Sequence, residues 1–205
     1  MKIIIFSTGL NQYLFNFLLM VLLFFVVSCG SLLPQATPKE IFVLGSQQEK
    51  FCDSHADKGI ISNISEQASP DFYRTQKIIF RKDSLLGSYQ FAQWSEPVTE
   101  RIGRLLAERF RCEGYQVASQ SNAKDPTGMG ITFTVLNFFH DTTISPGKFL
   151  GIFRVTRTKG SISEEKLFSI EKSVETFDVE GARKAADMVV EELLNGVVGY
   201  AAVSH

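Results

Sequence analysis

The sequence predicts an α+β fold, a two-layer sandwich with a mixed, largely antiparallel sheet and two long amphipathic helices on one face. Three observations point there. Two segments carry apolar residues at helical spacing, each as a single stripe. Three strand-like runs follow one another through short turns between residues 131 and 176. Further short strand-like runs lie upstream of each helix, and two one-sided helices can cover one face of such a sheet.

The elements follow in chain order. Residues 41–44 (Ile-Phe-Val-Leu) form a short strand ended by Gly45. Residues 46–71 are polar and unpatterned, and read as loop with at most a brief strand at Ile60–Ile61. A loop of that length implies a function or a concealed element. Residues 77–82 (Lys-Ile-Ile-Phe-Arg-Lys) are strand-like, and 88–94 alternate weakly with Tyr89, Phe91 and Gln93 on one face. A helix then starts, with Ser95 or Glu96 as cap and Pro97 in the first turn. Val98, Ile102, Leu105, Leu106 and Phe110 form its apolar stripe, Arg101, Arg104, Glu108 and Arg111 lie mostly off it, and Gly114 ends it.

Residues 115–118 form a short strand and 122–130 a turn-rich loop. Residues 131–140 form the clearest strand. Ile131, Phe133 and Val135 lie on one side and Thr132 and Thr134 on the other, while Leu136, Phe138 and Phe139 make its second half apolar throughout. Pro146-Gly147 turns into a strand over 149–158, and Lys159-Gly160 into another over 167–176, with Glu164-Glu165 at a solvated hairpin tip. Asp178 caps a second helix whose buried stripe is Ala182, Ala186, Val189, Val190, Leu193, Leu194 and Val197.

Composition bounds the function. The chain has 205 residues, 21 Lys+Arg against 22 Asp+Glu, and three Cys. That balance excludes a polybasic nucleic-acid binder, so no nucleic-acid partner is expected. The slightly positive mean hydropathy belongs mostly to the N-terminus. Twenty of the first 28 residues are apolar, which leaves about 40% in the remainder, ordinary for a soluble domain.

The N-terminus reads as an address. An unbroken apolar run covers residues 17–27. Eleven residues suit a secretory core and fall short of a bilayer span. The run ends in Val26-Val27-Ser28-Cys29-Gly30, which resembles a bacterial lipobox. The resemblance places cleavage between Ser28 and Cys29 and covalent lipid on Cys29, whose acyl chains anchor the protein to a membrane. Gly30 after the lipidated Cys, in place of Asp, implies sorting to the outer membrane of a Gram-negative bacterium, facing the periplasm. The chain thus divides into a signal peptide (1–28), a lipidated N-terminus and tether with Pro34 and Pro38 (29–40), and a single periplasmic domain (41–205).

Candidate chemistry is sparse. The only histidines are His55, His140 and the terminal His205. There is no Cys-x-x-Cys, His-x-x-x-His, phosphate loop or Gly-x-Ser-x-Gly elbow. His140-Asp141 is half of a triad or a polar strand terminus, and the second reading is the commoner. Asp53, His55 and Asp57 alternate in the polar loop, as a metal site would require, but no further ligand is in sight. No cofactor and no metal are therefore expected. Cys52 and Cys112 remain for an oxidising compartment. They either close a disulfide or stand as two thiols, since sequence does not report whether the positions meet. Phe138, Phe139, Phe149 and Phe153 read as sheet core, or as an apolar groove or oligomer interface.

One stretch carries a family likeness. Lys77-Ile-Ile-Phe-Arg, then Tyr89, then Gln93-Trp94-Ser95-Glu96-Pro97 before an amphipathic helix resembles the ABC-type transport auxiliary lipoproteins (PqiC/YmbA-like). The family commonly has a basic residue where Gln93 stands, and the likeness is best over residues 73–139. It implies a non-enzymatic, outer-membrane-anchored partner of an MCE-domain protein and of ABC transporter or permease subunits in lipid transport. A homo-oligomer is conceivable from the same resemblance. Tyr89, Trp94, Glu96 and Pro97 are read as fold determinants, with Trp94 under the helix start and Glu96 near its positive end. The other readings are an assembly or structural lipoprotein docking a barrel or secretion complex, and a periplasmic hydrolase using His140 and Asp141.

Overall fold

A computed structural model of the chain describes residues 17, 38–46, 58–118 and 128–203. Its strands are β1 (Glu40–Phe42), β2 (Ile60–Glu66), β3 (Lys77–Lys82), β4 (Leu85–Trp94), β5 (Gln116–Val117), β6 (Met129–Asp141), β7 (Lys148–Lys159) and β8 (Ile162–Ser173). Among the described residues from Lys39 onward the α-helices are α1 (Val98–Cys112), between β4 and β5, and α2 (Val179–Ala202), after β8. The architecture is the expected α+β one, an open eight-stranded mixed sheet with two helices. The described residues from Lys39 onward form one compact unit.

β6 is the spine. One of its sides carries the antiparallel β6–β7–β8 meander. The other is shared. β2 runs parallel to its first half, from Ile61↔Met129 to Glu66↔Phe133, and β3 parallel to its end, Phe80↔His140 and Arg81↔Asp141. Between them β6 has no strand partner there, yet its backbone donors must still be satisfied. Residues 67–74 do this. Val135 N–H donates to Ser69 Oγ (2.9 Å) and Phe138 N–H to the Tyr73 hydroxyl oxygen (2.8 Å), while Gln67 N–H donates to Phe133 O (2.8 Å). A short 3-10 turn, Asp71–Arg74, carries Tyr73 into the core at 1% exposure. A bulge in β6 between Val135 and Asn137 keeps Phe138 and His140 on the same face as Ile131, Phe133 and Val135.

Both helices cover that face. Gly103 of α1 sits over the Phe133 ring, Gly151 of β7 lies beneath Val189 of α2, and Gly196 of α2 meets Phe168 of β8. The predicted stripes are buried: Val98, Ile102, Leu105, Leu106 and Phe110 in α1, and Ala182 through Val197 in α2. Asp178 caps α2, its carboxylate accepting from Gly181 N–H (2.7 Å). The aromatic core centres on Phe138, whose ring lies 4.7 Å from Phe149, 6.1 Å from Phe153 and 6.5 Å from Trp94. Phe138, Phe139, Phe149 and Phe153 are all buried, so none of them lines an exposed groove. Phe139 faces the other side of the sheet, under the Arg81 guanidinium at 4.7 Å.

Several expectations need correction. The concealed element in the polar loop is β2, seven residues instead of two. β8 starts at Ile162, so Glu164 and Glu165 lie in a strand and pair with Arg157 and Arg154. Pro97 itself occupies the cap position of α1, and neither Ser95 nor Glu96 caps it. Tyr89, Phe91 and Gln93 do not share a face. Lys77 pairs with Gln93 but Ile79 with Ser88, so β4 takes five residues where β3 takes two. This irregularity leaves Tyr89 half-buried against Phe80 and His140, buries Ala92 and Trp94, and exposes Phe91. Arg101 is buried at 3% exposure, although the stripe left it outside.

Candidate functional site

The first described strand is held to the domain by backbone pairing and by buried charge. β1 runs parallel to β4, Glu40↔Ala92 to Phe42↔Trp94, and Ser95 N–H donates to Phe42 O (2.8 Å). Leu44 then turns into the core at 1% exposure. Its carbonyl accepts from Arg101 Nε of α1 (2.7 Å), and the next amide, Gly45 N–H, donates to Asp187 Oδ1 of α2 (2.7 Å). Two charged side chains thus satisfy consecutive groups of a non-helical, non-strand backbone, a role neutral side chains fill less strongly. Arg183 pairs with Asp187 (2.8 Å) and with Glu180 (2.6 Å), and its guanidinium lies 5.9 Å from the Phe42 ring. Burial raises the Asp187 pKa above the usual carboxylate value. The Gly45 N–H and Arg183 oppose that rise without cancelling it.

The Trp94–Pro97 segment belongs to this junction. Trp94 is 1% exposed, and its N–H donates to Gln76 O (2.7 Å). Glu96 binds Arg104 and stands 3.8 Å from Arg101. Pro97 O accepts the Arg101 N–H (3.0 Å) and so begins α1. The segment therefore aims Arg101 at Leu44. Nothing in the local sequence around Arg101, Arg183 or Asp187 announces this cluster. The nearest signal is Asp187 itself, a carboxylate next to the small apolar run Ala185-Ala186.

A second polar cluster closes the other end of β4. His140 is 0% exposed. Its Nε2 lies 3.1 Å from Pro146 O, which can only accept, so Nε2 carries the proton. Nδ1 is then the acceptor for the Tyr89 hydroxyl at 2.7 Å. Burial, with a smaller contribution from Asp178, pushes the Tyr89 pKa up to about 12, so the hydroxyl keeps its proton. Burial also lowers the His140 pKa, against the opposing pull of Pro146 O, Asp141 and Asp178. Asp141 points to the opposite face, as adjacent strand residues must. It binds Arg81 and accepts from Thr143 Oγ1 (2.6 Å) and Thr143 N–H (3.1 Å). Burial raises its pKa, and the Thr143 and Arg81 contacts reverse this to a net lowering. His140 and Asp141 do not form a dyad. Gly147 completes the turn at φ +91°, and a Cβ there would meet Asp141 O and His140 Nε2.

Ser28, Cys29 and Cys52 lie outside the described residues, as do Asp53, His55 and Asp57. Cys112, the last residue of α1, is disulfide-bonded. Among the described residues no three His, Cys, Asp or Glu gather as a metal site would need, and no helix is long and apolar enough to cross a membrane. A shallow, open depression of 350 Å³ lies between β8 and α2, lined by Lys172, Met188, Glu191, Glu192 and Asn195.

No family model and no curated protein matches the sequence. Solved structures do share the fold. An uncharacterized protein superposes with a TM-score of 0.62 at 13% identity, over 78% of this chain and 96% of its own. A protein from Xanthomonas campestris, assigned to the family model DUF330, gives 0.59 at 14% identity, over 82% of this chain and 88% of its own.

Proposed function

We propose that the chain is a lipid-anchored auxiliary subunit of an MCE/ABC-type envelope transport system for lipids or hydrophobic compounds. In this reading it works as a non-enzymatic docking or receiving component at the outer membrane. The observation that carries the reading is the junction just described. A lipobox and a Pro-containing tether lead into β1, and the Trp94–Pro97 segment that carries the family likeness positions Arg101 on the chain leaving β1. In this reading the junction is where the anchored chain joins the domain.

The fold shared with the DUF330 protein supports the same direction, because the auxiliary lipoproteins resembled by the sequence are the DUF330 family. His140 adds support of another kind. Both ring nitrogens are engaged inside the fold, so His140 itself is not a free base for the hydrolase reading. Affinity capture of the tagged full chain from detergent-solubilised native membranes tests the proposal. Co-purification of an MCE-domain protein is expected. Recovery of a β-barrel or secretion component alone would replace it with the assembly-lipoprotein reading.

A further inference from the structure

Four large apolar side chains gather at one end of the sheet. Leu85 (73% exposed) and Leu86 (55%) sit at the β3–β4 hairpin, Ile144 (67%) in the β6–β7 connection and Phe177 (57%) in the β8–α2 connection. The strand registers bring these connections together. Arg81 pairs with both Leu86 and Asp141, Asp141 with Lys148, and Lys148 with Ser173. The connections also touch. Thr142 N–H donates to Arg81 O (2.7 Å), Val174 N–H to Gly147 O (3.1 Å), and the Phe177 ring lies 6.0 Å from His140. Single exposed apolar residues are ordinary, but four on adjoining connections form a patch of the kind that marks a contact surface. The charges around it are of both signs: Arg81 is bound to Asp141 and Lys148 to Glu171 (2.8 Å), Lys82 and Asp83 are neighbours in sequence, and Glu175 and Asp178 flank Phe177. The patch itself is therefore apolar, with a rim of mixed charge.

The polarity of β1 says what covers it. β1 is parallel to β4 with Glu40 beside Ala92, so the chain before Glu40 enters from the side on which β4 begins, at Leu85. Seven residues of β4 from Ala92 back to Leu85 span at most about 24 Å. The 11 residues from Cys29 to Glu40 can span up to about 36–40 Å. That reach passes the Leu85 end of the sheet, whereas the opposite end requires the chain to double back.

We propose that this end is the membrane-facing surface of the domain. Leu85, Leu86, Ile144 and Phe177 enter the interfacial layer of the bilayer that holds the Cys29 lipid. The inference rests on the lipid-anchor part of the proposed function. The acyl chains supply affinity, and the patch supplies orientation: it fixes which end of the sheet faces the lipid.

Tryptophan placed at the patch reads this directly, because the native Trp94 is buried. The lipidated full chain carrying Leu86→Trp, Ile144→Trp or, as control, Leu167→Trp in β8 is reconstituted into phosphatidylethanolamine/phosphatidylglycerol vesicles containing brominated acyl chains. All three sites are exposed, so the fold tolerates the larger side chain. Vesicle flotation is expected for all three. The emission added at 86 and 144 shifts to the blue and loses most of its intensity, and that at 167 does not. Flotation without quenching at 86 and 144 overturns the inference and leaves the anchor standing. Equal quenching at all three sites also overturns it, by removing the orientation. Failure to float refutes the anchor and the inference together. Crosslinking from position 86 to a protein in native membranes, with no quenching in vesicles, would assign the patch to a protein partner instead.

Discussion

His140 is a buried histidine with both ring nitrogens engaged. Neutral imidazole suits its two partners, a hydroxyl that donates and a carbonyl that accepts; a second proton on Nδ1 would face the Tyr89 donor. Its pKa is depressed from 6.5, so between the folded and unfolded values the unfolded chain binds more protons. The stabilisation from neutral His140 is present above about pH 6.5 and is lost as pH falls through the lower folded value. Urea titrations above and below that pH are expected to show a steeper loss for the wild type than for His140→Gln. Tyr89→Phe should cost about 1–3 kcal/mol at neutral pH, because Nδ1 is left without a donor. Asp187 has the opposite sign. Its pKa is raised, so the folded chain holds the proton more tightly, and its contribution to stability falls as pH rises through the folded value. Asp187→Asn keeps an acceptor for Gly45 N–H and should stay within about 1 kcal/mol of the wild type at neutral pH. Asp187→Ala orphans that amide and should cost about 1–3 kcal/mol by the same titration. The adjacency of His140 and Asp141 in a strand already implied opposite faces. Their partners Tyr89 and Arg81 lie 51 and 60 residues away, beyond any local pattern.

Elements were legible where one period ruled them. Both helices announce themselves because their buried stripes are apolar, and Asp178 marks the start of α2. The first half of β6 is legible from its alternation of Ile131, Phe133 and Val135 with Thr132 and Thr134. Most of β2 and the start of β8 were hidden because they carry polar and charged groups whose partners lie outside the strand's own period. In β8, Glu164 and Glu165 resemble a turn until Arg157 and Arg154 of β7 are placed opposite them. The three-residue surplus in β4 was invisible because nothing local demands it. Helix and sheet approach closely at Gly151, where a Cβ would collide with Val189 of α2 and with the Phe153 ring. Gly151→Ala should therefore lever α2 from β7 and destabilise by about 1–3 kcal/mol, read as a lower midpoint with little change in urea m-value. At the end of α1, a bridge from Cys112 to Cys52 would close about 60 residues and contribute about 4 kcal/mol in the chain-entropy model. Non-reducing peptide mapping should recover that linked pair, and Cys112→Ser should lower stability in non-reducing buffer only.

At the scale of the molecule, the spine strand shares one side between two parallel neighbours, and residues 67–74 close the gap. That arrangement lets β1 and β4 form a wing beside the meander, where the chain from the proposed anchor enters. The two-layer architecture could be read from the order of elements. The junction could not, because Arg101, Arg183 and Asp187 come from two helices and act on a turn more than 50 residues upstream. In the function proposed above, the lipid anchor and this domain together serve an envelope transport system. In-membrane crosslinking of the full chain followed by mass spectrometry, comparing the wild type with Cys29→Ala, tests it most directly. An MCE-domain protein crosslinked to the wild type in the outer-membrane fraction is expected, with loss of that product on loss of the anchor. A wild type crosslinked only to barrel or secretion components, or a Cys29→Ala variant that keeps the same fraction and the same partners, would contradict it.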